Sequence, residues 1–287
     1  MVAGLLLSGC STQAAVTPKP TVHATKKVAV IVERNLGDAI ASGKKITDEL
    51  GTYETVVVNP KSSALNLEDY LVDKKTLKES GFTLAQVADA QRWLVSFIAA
   101  QGFDSVAVDR DKAGWQQWQT EFAASALDPK FAKAVLNTKR PIDDRAQVIL
   151  NDDNNSYPAL LRDGGPRIAS EEIKVGEVHT GRMENKAKTP YVLIGGSANA
   201  IYRTTDVTVI KALRTQAPSL TEAHVKQEYP NLANKKDGDV QVQHTLMYQY
   251  TLTQVDGTWR IAAINNRTSF GYLNLSLIHI SEPTRPY

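Results

Sequence analysis

The sequence predicts an α+β fold, in which three N-terminal helices pack on one face of a curved antiparallel sheet behind a small strand-helix-strand segment. Three observations predict it. Apolar residues fall at helical spacing most clearly over 83–135, and after Pro141 the period changes to alternation. The last strands flank Asp256-Gly257, two residues that both tolerate positive φ and so close a hairpin. Helices first and a run of antiparallel strands afterwards is the order of an α+β domain.

The first structured stretch is Val28-Ala-Val-Ile-Val32, apolar and rich in β-branched residues, which predicts a buried strand. Leu36, Ala39, Ile40, Ile46 and Leu50 then fall loosely at helical spacing, interrupted by Gly43 and closed by Gly51, and predict a helix. Thr55-Val-Val-Val58 predicts a second strand, stopped by Asn59-Pro60. No glycine-rich loop follows the first strand, where Glu33-Arg34-Asn35 stands instead, so nucleotide binding is not supported. Residues 61–81 are irregular, with room for a short helix through Leu67 to Leu77.

Thr83-x-x-Gln86 has the form of a capping box, in which a hydroxyl and an amide side chain satisfy free N–H groups at a helix start. Leu84, Val87, Ala88, Ala90, Trp93, Leu94, Phe97 and Ile98 lay an apolar stripe along that helix, which ends near Gly102. A second helix begins at Asp111 and carries Trp115, Trp118 and Phe122. A third opens at Asp128-Pro129, an N-cap acid before a first-turn proline, with Phe131, Ala134 and Val135 as its packing face. The tryptophans sit at core positions of these patterns.

Gln147–Leu150 and Ala159–Leu161 predict short strands around the polar loop Asn151 to Ser156. Arg162-Asp163-Gly164-Gly165-Pro166-Arg167 predicts a turn, in which Asp163 folds back on its own backbone. Strands follow through Ile173–Val178, Tyr191–Ile194 and a stretch from Ala200 to Leu213, with Gly195-Gly196 predicting a bulge or bend. Leu220 to Tyr229 predicts a short helix, and Val240–Val255 with Trp259–Asn265 form the closing hairpin.

Leu7-Ser8-Gly9-Cys10 resembles the lipobox of bacterial lipoprotein signal peptides, in which small residues precede a cysteine that receives a diacylglycerol. Cys10 is the single cysteine of the 287 residues, so an internal disulfide is excluded. Nine residues precede it and none is charged, so a basic leader region is expected upstream of Met1. The resemblance implies a bacterial, actinobacterial lipoprotein held on the outer face of the cell membrane through Cys10. Residues 11–27 are polar, contain Pro18 and Pro20, and read as a tether reaching about 55 Å when extended. At the other end, residues 275–285 read as translated sequencing adapter, so 275–287 is expected to be a non-native tail. The organisation that follows is a truncated signal peptide and lipobox over 1–10, a tether over 11–27, a small α/β segment over 28–82 and an α+β domain over 83–274.

The helix through Ala88-Asp89-Ala90-Gln91-Arg92-Trp93, the Trp115/Trp118 helix and the hairpin Val255-Asp256-Gly257-Thr258-Trp259-Arg260-Ile261 together resemble the NTF2-like, cystatin-related superfamily. The resemblance covers residues 83–270 and implies a cone-shaped sheet whose mouth can hold a ligand. It makes His179, His244 and Tyr202 the candidate ligand contacts.

No catalytic constellation can be assembled around those residues. Ser197 in Gly195-Gly196-Ser197-Ala198-Asn199 lacks the spacing of a nucleophile elbow. His23, His179, His224 and His244 show no i, i+4 pairing, and Asp152-Asp153-Asn154-Asn155 lacks the glycine and distal glutamate of a calcium loop. No metal and no cofactor are therefore expected. The 33 basic residues are scattered and offset by 31 acidic ones, which removes the electrostatic argument for nucleic acid. Arg162 and Arg167 flank Asp163 in a tight turn and are the candidate contacts for an anionic partner. The resulting expectation is a noncatalytic binding or assembly module in the cell envelope with envelope proteins as partners. The alternatives are an accessory subunit of an envelope transport or conjugation machine, and a small-molecule binder or hydrolase using the cone.

Overall fold

The β-branched run ending at Val58 forms strand β2, Gly51–Val58, and its partner is the preceding chain: Ile40–Asp48 is strand β1. In the computed structural model, which describes residues 38–109, 112–135, 159–185, 187–216, 218–228 and 240–272, the two pair antiparallel from Ile40 opposite Val58 to Asp48 opposite Gly51. The helix expected over Leu36 to Leu50 is thus replaced by a strand. Gly43 is a poor helix former, and in the strand it sits at a bulge between Ser42 and Lys45, while Ile40 is buried in the core. Asp48 Oδ1 accepts from Leu50 N at 2.9 Å and fixes the turn, and Gly51, at φ +135°, completes it.

Two short 3₁₀ turns, Ser63–Leu65 and Asp69–Leu71, lead to helix α1, Lys74–Ser80. Its cap is Asp73, whose Oδ1 accepts from Thr76 N at 2.8 Å, and Gly81 stops it in the left-handed conformation. Helix α2, Leu84–Phe97, opens with both bonds of the capping box: Gln86 N donates to Thr83 Oγ1 and Thr83 N to Gln86 Oε1. Its buried stripe is Val87, Ala90, Gln91, Leu94, Val95 and Phe97, and a π-helical turn, Ile98–Phe103, carries the same face onward. Gln91 is buried because its Nε2 donates to the carbonyls of Ala64 and Asn66, tying the first 3₁₀ turn to the helix.

Helix α3, Lys112–Trp118, runs through a π turn, Gln119–Ala123, into the single turn α4, Ala124–Ala126. Helix α5, Pro129–Val135, starts where Asp128 Oδ1 accepts from Lys130 N at 2.9 Å. Val135 is buried and Phe131 half-buried, whereas Ala134 is exposed and Ala132 packs on the core in its place.

The stretch expected as a turn at Arg162–Arg167 contains strand β3, Asp163–Pro166, which pairs parallel with β2 through Thr52 opposite Asp163 and Glu54 opposite Pro166. The local turn chemistry is present inside it, since Gly165 N donates to Asp163 Oδ1 at 3.0 Å. Of the strand expected at Ala159–Leu161, one bridge forms, between Leu160 and Thr204.

The second sheet has five strands. β4, Ile168–Arg182, β5, Pro190–Thr204, β6, Val240–Val255, and β7, Thr258–Ile264, lie side by side in that order, antiparallel, and β8, Arg267–Tyr272, pairs with the other end of β6. Asp256 and Gly257 adopt φ 52° and 76° between β6 and β7, as the hairpin signal requires. The stretch beyond Ala200 stops being a strand at Thr204. Thr205 Oγ1 accepts from Thr208 N and starts helix α6, Asp206–Gln216, followed by α7, Glu222–Glu228. β5 runs straight through Gly195-Gly196, and the bulge lies opposite, in β4 between Val175 and Glu177.

The core lies between the buried face of this sheet and the helices. Phe82 packs on Trp259 at 5.4 Å between ring centres, and Trp93 stacks on Phe97. Trp118 and Trp259 are buried with their indole N–H groups satisfied by Gln101 Oε1 and Asp89 Oδ2. The expected strands Val28–Val32 and Gln147–Leu150, the loop Asp152–Asn155, Cys10, the tether and the tail 275–287 lie outside the described residues.

Candidate functional site

The two arginines that flank Asp163 do not face a partner. Arg162 points inward, its Nη2 at 2.9 Å from Asp48 Oδ2 and its Nη1 at 2.6 Å from Asp109 Oδ2. Arg167 is fully buried and donates to Asp104 Oδ1 from Nε at 2.9 Å and Nη2 at 2.7 Å, to Asp109 Oδ1 from Nη1, and to the carbonyls of Asp104 and Ser105. Both guanidinium groups lie over the Tyr53 ring, Arg167 at 3.9 Å and Arg162 at 4.6 Å from its centre. The two forks of N–H donors share three carboxylates, two for each arginine, and reach carbonyls besides, which is how a buried guanidinium stays charged.

The electrostatics follow from that packing. Burial works against the charge on Arg162, but hydrogen bonds to Asp109 and Asp48 outweigh it and hold its pKa above the ordinary value. Burial raises the carboxyl of Asp104, opposed by Arg167 and by the N–H of Val56, which donates to Asp104 Oδ2 at 2.7 Å. Leu160 N donates to Asp109 Oδ2, so the chain entering β3, the hairpin β1–β2 and the segment after the π turn all close on one set of charges. The anionic-partner expectation for Arg162 and Arg167 is therefore corrected, because their donors are already engaged inside the protein. Asp163 turns to the surface, where Arg203 holds it by Nη2 at 2.5 Å and lowers its pKa.

Of the three candidate ligand contacts, the structure brings two together. Tyr202 and His244 are buried on the core-facing side of β5 and β6 with ring centres 6.5 Å apart, and Tyr202 donates its hydroxyl to Phe103 O at 2.7 Å. Burial drives the imidazole of His244 down to about 3, so it is neutral at ordinary pH. His179 belongs elsewhere. Its neighbours Val178 and Thr180 are buried, so alternation turns His179 to the opposite, exposed face, where Nε2 lies 3.4 Å from Glu177 Oε2.

A third residue joins Tyr202 and His244. Glu171 of β4 sits opposite Ala200 of β5, and Ala200 sits opposite His244 of β6, so all three share one face. Glu171 is buried, neither carboxyl oxygen has a hydrogen-bond partner among the described residues, and burial together with the charge of Asp104 raises its pKa well above the ordinary value. The sequence held a usable signal for it: in a strand, one of the neighbours Glu171 and Glu172 must face the core side. Among the described residues, no group of three or more His, Cys, Asp or Glu side chains is arranged to hold a metal ion. None of the described helices is long and apolar enough to cross a membrane.

These features define a mixed α+β protein with sheets of antiparallel strands and several helices, in which most sequence-nominated polar residues serve internal contacts. Comparison with protein families, with curated proteins and with solved structures finds no match.

Proposed function

We propose that the chain is a lipid-anchored extracytoplasmic protein whose α+β domain is a noncatalytic binding or assembly module on the outer face of the cell membrane. The observation that carries the reading is the string Leu7-Ser8-Gly9-Cys10 followed by a polar, proline-containing tether. The interior supports the noncatalytic part, since Arg162 and Arg167 are engaged by Asp48, Asp104 and Asp109 rather than left to act on a substrate. In this reading the five-stranded sheet and the helices of the first half form an NTF2-like cone, and its exposed face or rim meets envelope proteins.

Metabolic labelling with a lipid analogue tests the anchor. Wild type and Cys10→Ala are expressed in a bacterial host behind a functional signal sequence, and label is expected in the wild type alone. Equal labelling of both proteins, or none in either, removes the lipoprotein reading.

A further inference from the structure

We propose that Glu177 and His179, on the exposed face of the five-stranded sheet, chelate a tetrahedral divalent transition ion, Zn²⁺. The inference goes beyond the reading of the domain as a binding module and is independent of the lipid anchor.

Strand β4 brings the two donors together. Residues two apart on a strand project from one face, and the burial of Val178 and Thr180 turns Glu177 and His179 to the solvent side. Their side chains are 43% and 58% exposed, so an ion reaches them without any opening of the core. Glu177 Oε2 and His179 Nε2 lie 3.4 Å apart. A charge-assisted N–H···O bond closes to about 2.7–2.9 Å, so the pair stands open by about half an ångström. Two ligands held at about 2.0–2.2 Å from Zn²⁺, with a tetrahedral angle between them, are separated by about 3.3–3.5 Å. The right angle of a square-planar ion would bring them to about 2.9 Å. The observed separation is therefore that of a tetrahedral edge, and imidazole nitrogen and carboxylate oxygen are both donors that zinc takes.

The carboxylate is held in place from its far side. A bulge between Val175 and Glu177 sets Glu177 opposite Gly195 of β5, and Gln249 of β6 lies opposite the same glycine. With no side chain at Gly195, Glu177 Oε1 reaches over β5 and accepts from Gln249 Nε2 at 2.8 Å. Asn265 Nδ2 in turn lies 3.5 Å from Gln249 Oε1. One carboxylate oxygen is thus fixed by an amide while the other is turned to His179, which is how an outer hydrogen bond aims a metal-binding carboxylate. Lys174, on the same strand, is paired with Glu172 at 2.8 Å. Two protein ligands are half of a closed tetrahedral set, so water completes the coordination and the ion is held reversibly.

Zinc chloride is titrated into the full chain, carrying no affinity tag, at neutral pH in competition with a chromogenic chelator. Saturable binding is expected. Loss of a ligand costs at least the roughly tenfold that loss of an outer partner costs, so His179→Ala and Glu177→Gln are each expected to weaken binding by about tenfold or more. In the wild type, the imidazole resonances of His179 are expected to shift during the same titration, a readout that needs no variant to fold. Magnesium chloride, whose ion prefers an all-oxygen octahedron, is expected to leave them in place. The proposal is overturned by the absence of saturable zinc binding, by His179 resonances that stay put or move equally with magnesium, or by an affinity unchanged in His179→Ala. It is equally overturned by binding that is lost in His179→Ala but kept in Glu177→Gln, which would leave a single surface imidazole acting alone. Failure here leaves the lipid-labelling result untouched, and failure of Cys10 labelling leaves this site untouched.

Discussion

Arg167 holds Asp104 through Nη2 at 2.7 Å and Nε at 2.9 Å, with neither side chain exposed to solvent. The pair joins the segment after the π turn to the start of β4, and Asp104 passes the constraint on to β2 through Val56 N. Removing Arg167 takes the guanidinium from the buried Asp104 carboxylate, and removing Asp104 leaves Arg167 with Asp109 alone to offset its buried charge. Arg167→Ala and Asp104→Ala are each expected to lower the unfolding free energy by about 3–5 kcal/mol. Replacing both by apolar residues of similar volume, as in Arg167→Met with Asp104→Leu, is expected to cost less than the sum of the single changes, because no charge is stranded. Denaturant unfolding of the four proteins checks this. Additive losses would show that the two side chains act separately.

Glu171 and His244 give stability opposite dependences on pH. The folded pKa of Glu171 lies well above 4.5, so the folded state keeps a proton that the unfolded chain releases; its contribution is fully present below about 4.5 and is lost as pH rises toward the folded value. The folded pKa of His244 is about 3 against an ordinary 6.5, so its contribution is present above 6.5 and is lost as pH falls from 6.5 toward 3. Each group contributes a slope of at most about 1.4 kcal/mol per pH unit within its window. Glu171→Gln is expected to gain on the wild type progressively as pH rises above 4.5. His244→Phe is expected to gain on it as pH falls below 6.5. Urea unfolding of the three proteins over a pH series measures both differences. Parallel curves for wild type and Glu171→Gln would mean that the carboxyl is ionised in the folded state.

The Thr83 capping box is a local device with a local cost. Thr83→Ala removes the acceptor of Gln86 N and the reciprocal geometry of Gln86, and is expected to cost about 0.5–2 kcal/mol. Gln86→Ala removes the other half, and the double variant is expected to lose little beyond Thr83→Ala, since the two bonds support each other. Thermal unfolding of the set is the measurement. A Thr83→Ala protein as stable as the wild type would show that tertiary packing of Phe82 against Trp259 fixes the helix start without the cap.

What could be read from the chain follows from how far each residue reaches. Thr83 and Gln86, Asp128 and Lys130, and Asp256-Gly257 are devices whose partners lie within three residues, and each forms as its spacing predicts. Arg162 reaches Asp48 across 114 positions and Arg167 reaches Asp104 across 63, so nothing near either arginine distinguishes an internal clamp from a surface grip. The loose helical spacing of residues 36–50 lost to β2, because a neighbouring strand with three valines offers a ladder that a glycine-interrupted helix cannot match. Glu171 was legible only in part: alternation turns one of Glu171 and Glu172 to the core, and its phase with Ile173 decides which, whereas its place opposite Ala200 and His244 is set by strand pairing that the sequence does not show.

Gly196 and Gly257 separate two uses of glycine in one sheet. At Gly196 the inner surface of β5 is crossed by Tyr248 of β6, whose hydroxyl donates to Lys174 O of β4 at 3.0 Å, and a Cβ would lie 2.0 Å from that carbonyl oxygen and 2.7 Å from the hydroxyl. At Gly195, on the opposite face, Gln249 Nε2 donates to Glu177 Oε1 at 2.8 Å across the strand, and a Cβ would lie 2.4 Å from that oxygen. The glycine pair thus lets β4 and β6 bond directly over β5 on both faces. Gly257 meets nothing within 4 Å and is needed only for its φ of 76°. Gly257→Ala is expected to cost about 1 kcal/mol, the strain of a side chain in the left-handed region. Gly196→Ala is expected to cost several-fold more, because a backbone carbonyl cannot swing aside as a side chain can. Tyr248→Phe removes the hydroxyl but leaves the carbonyl clash, so it is expected to recover only a small part of the Gly196→Ala loss. Unfolding free energies of the four proteins decide between the two obstacles, and full recovery in the double variant would show that the Tyr248 hydroxyl, rather than Lys174 O, is what excludes a side chain at position 196.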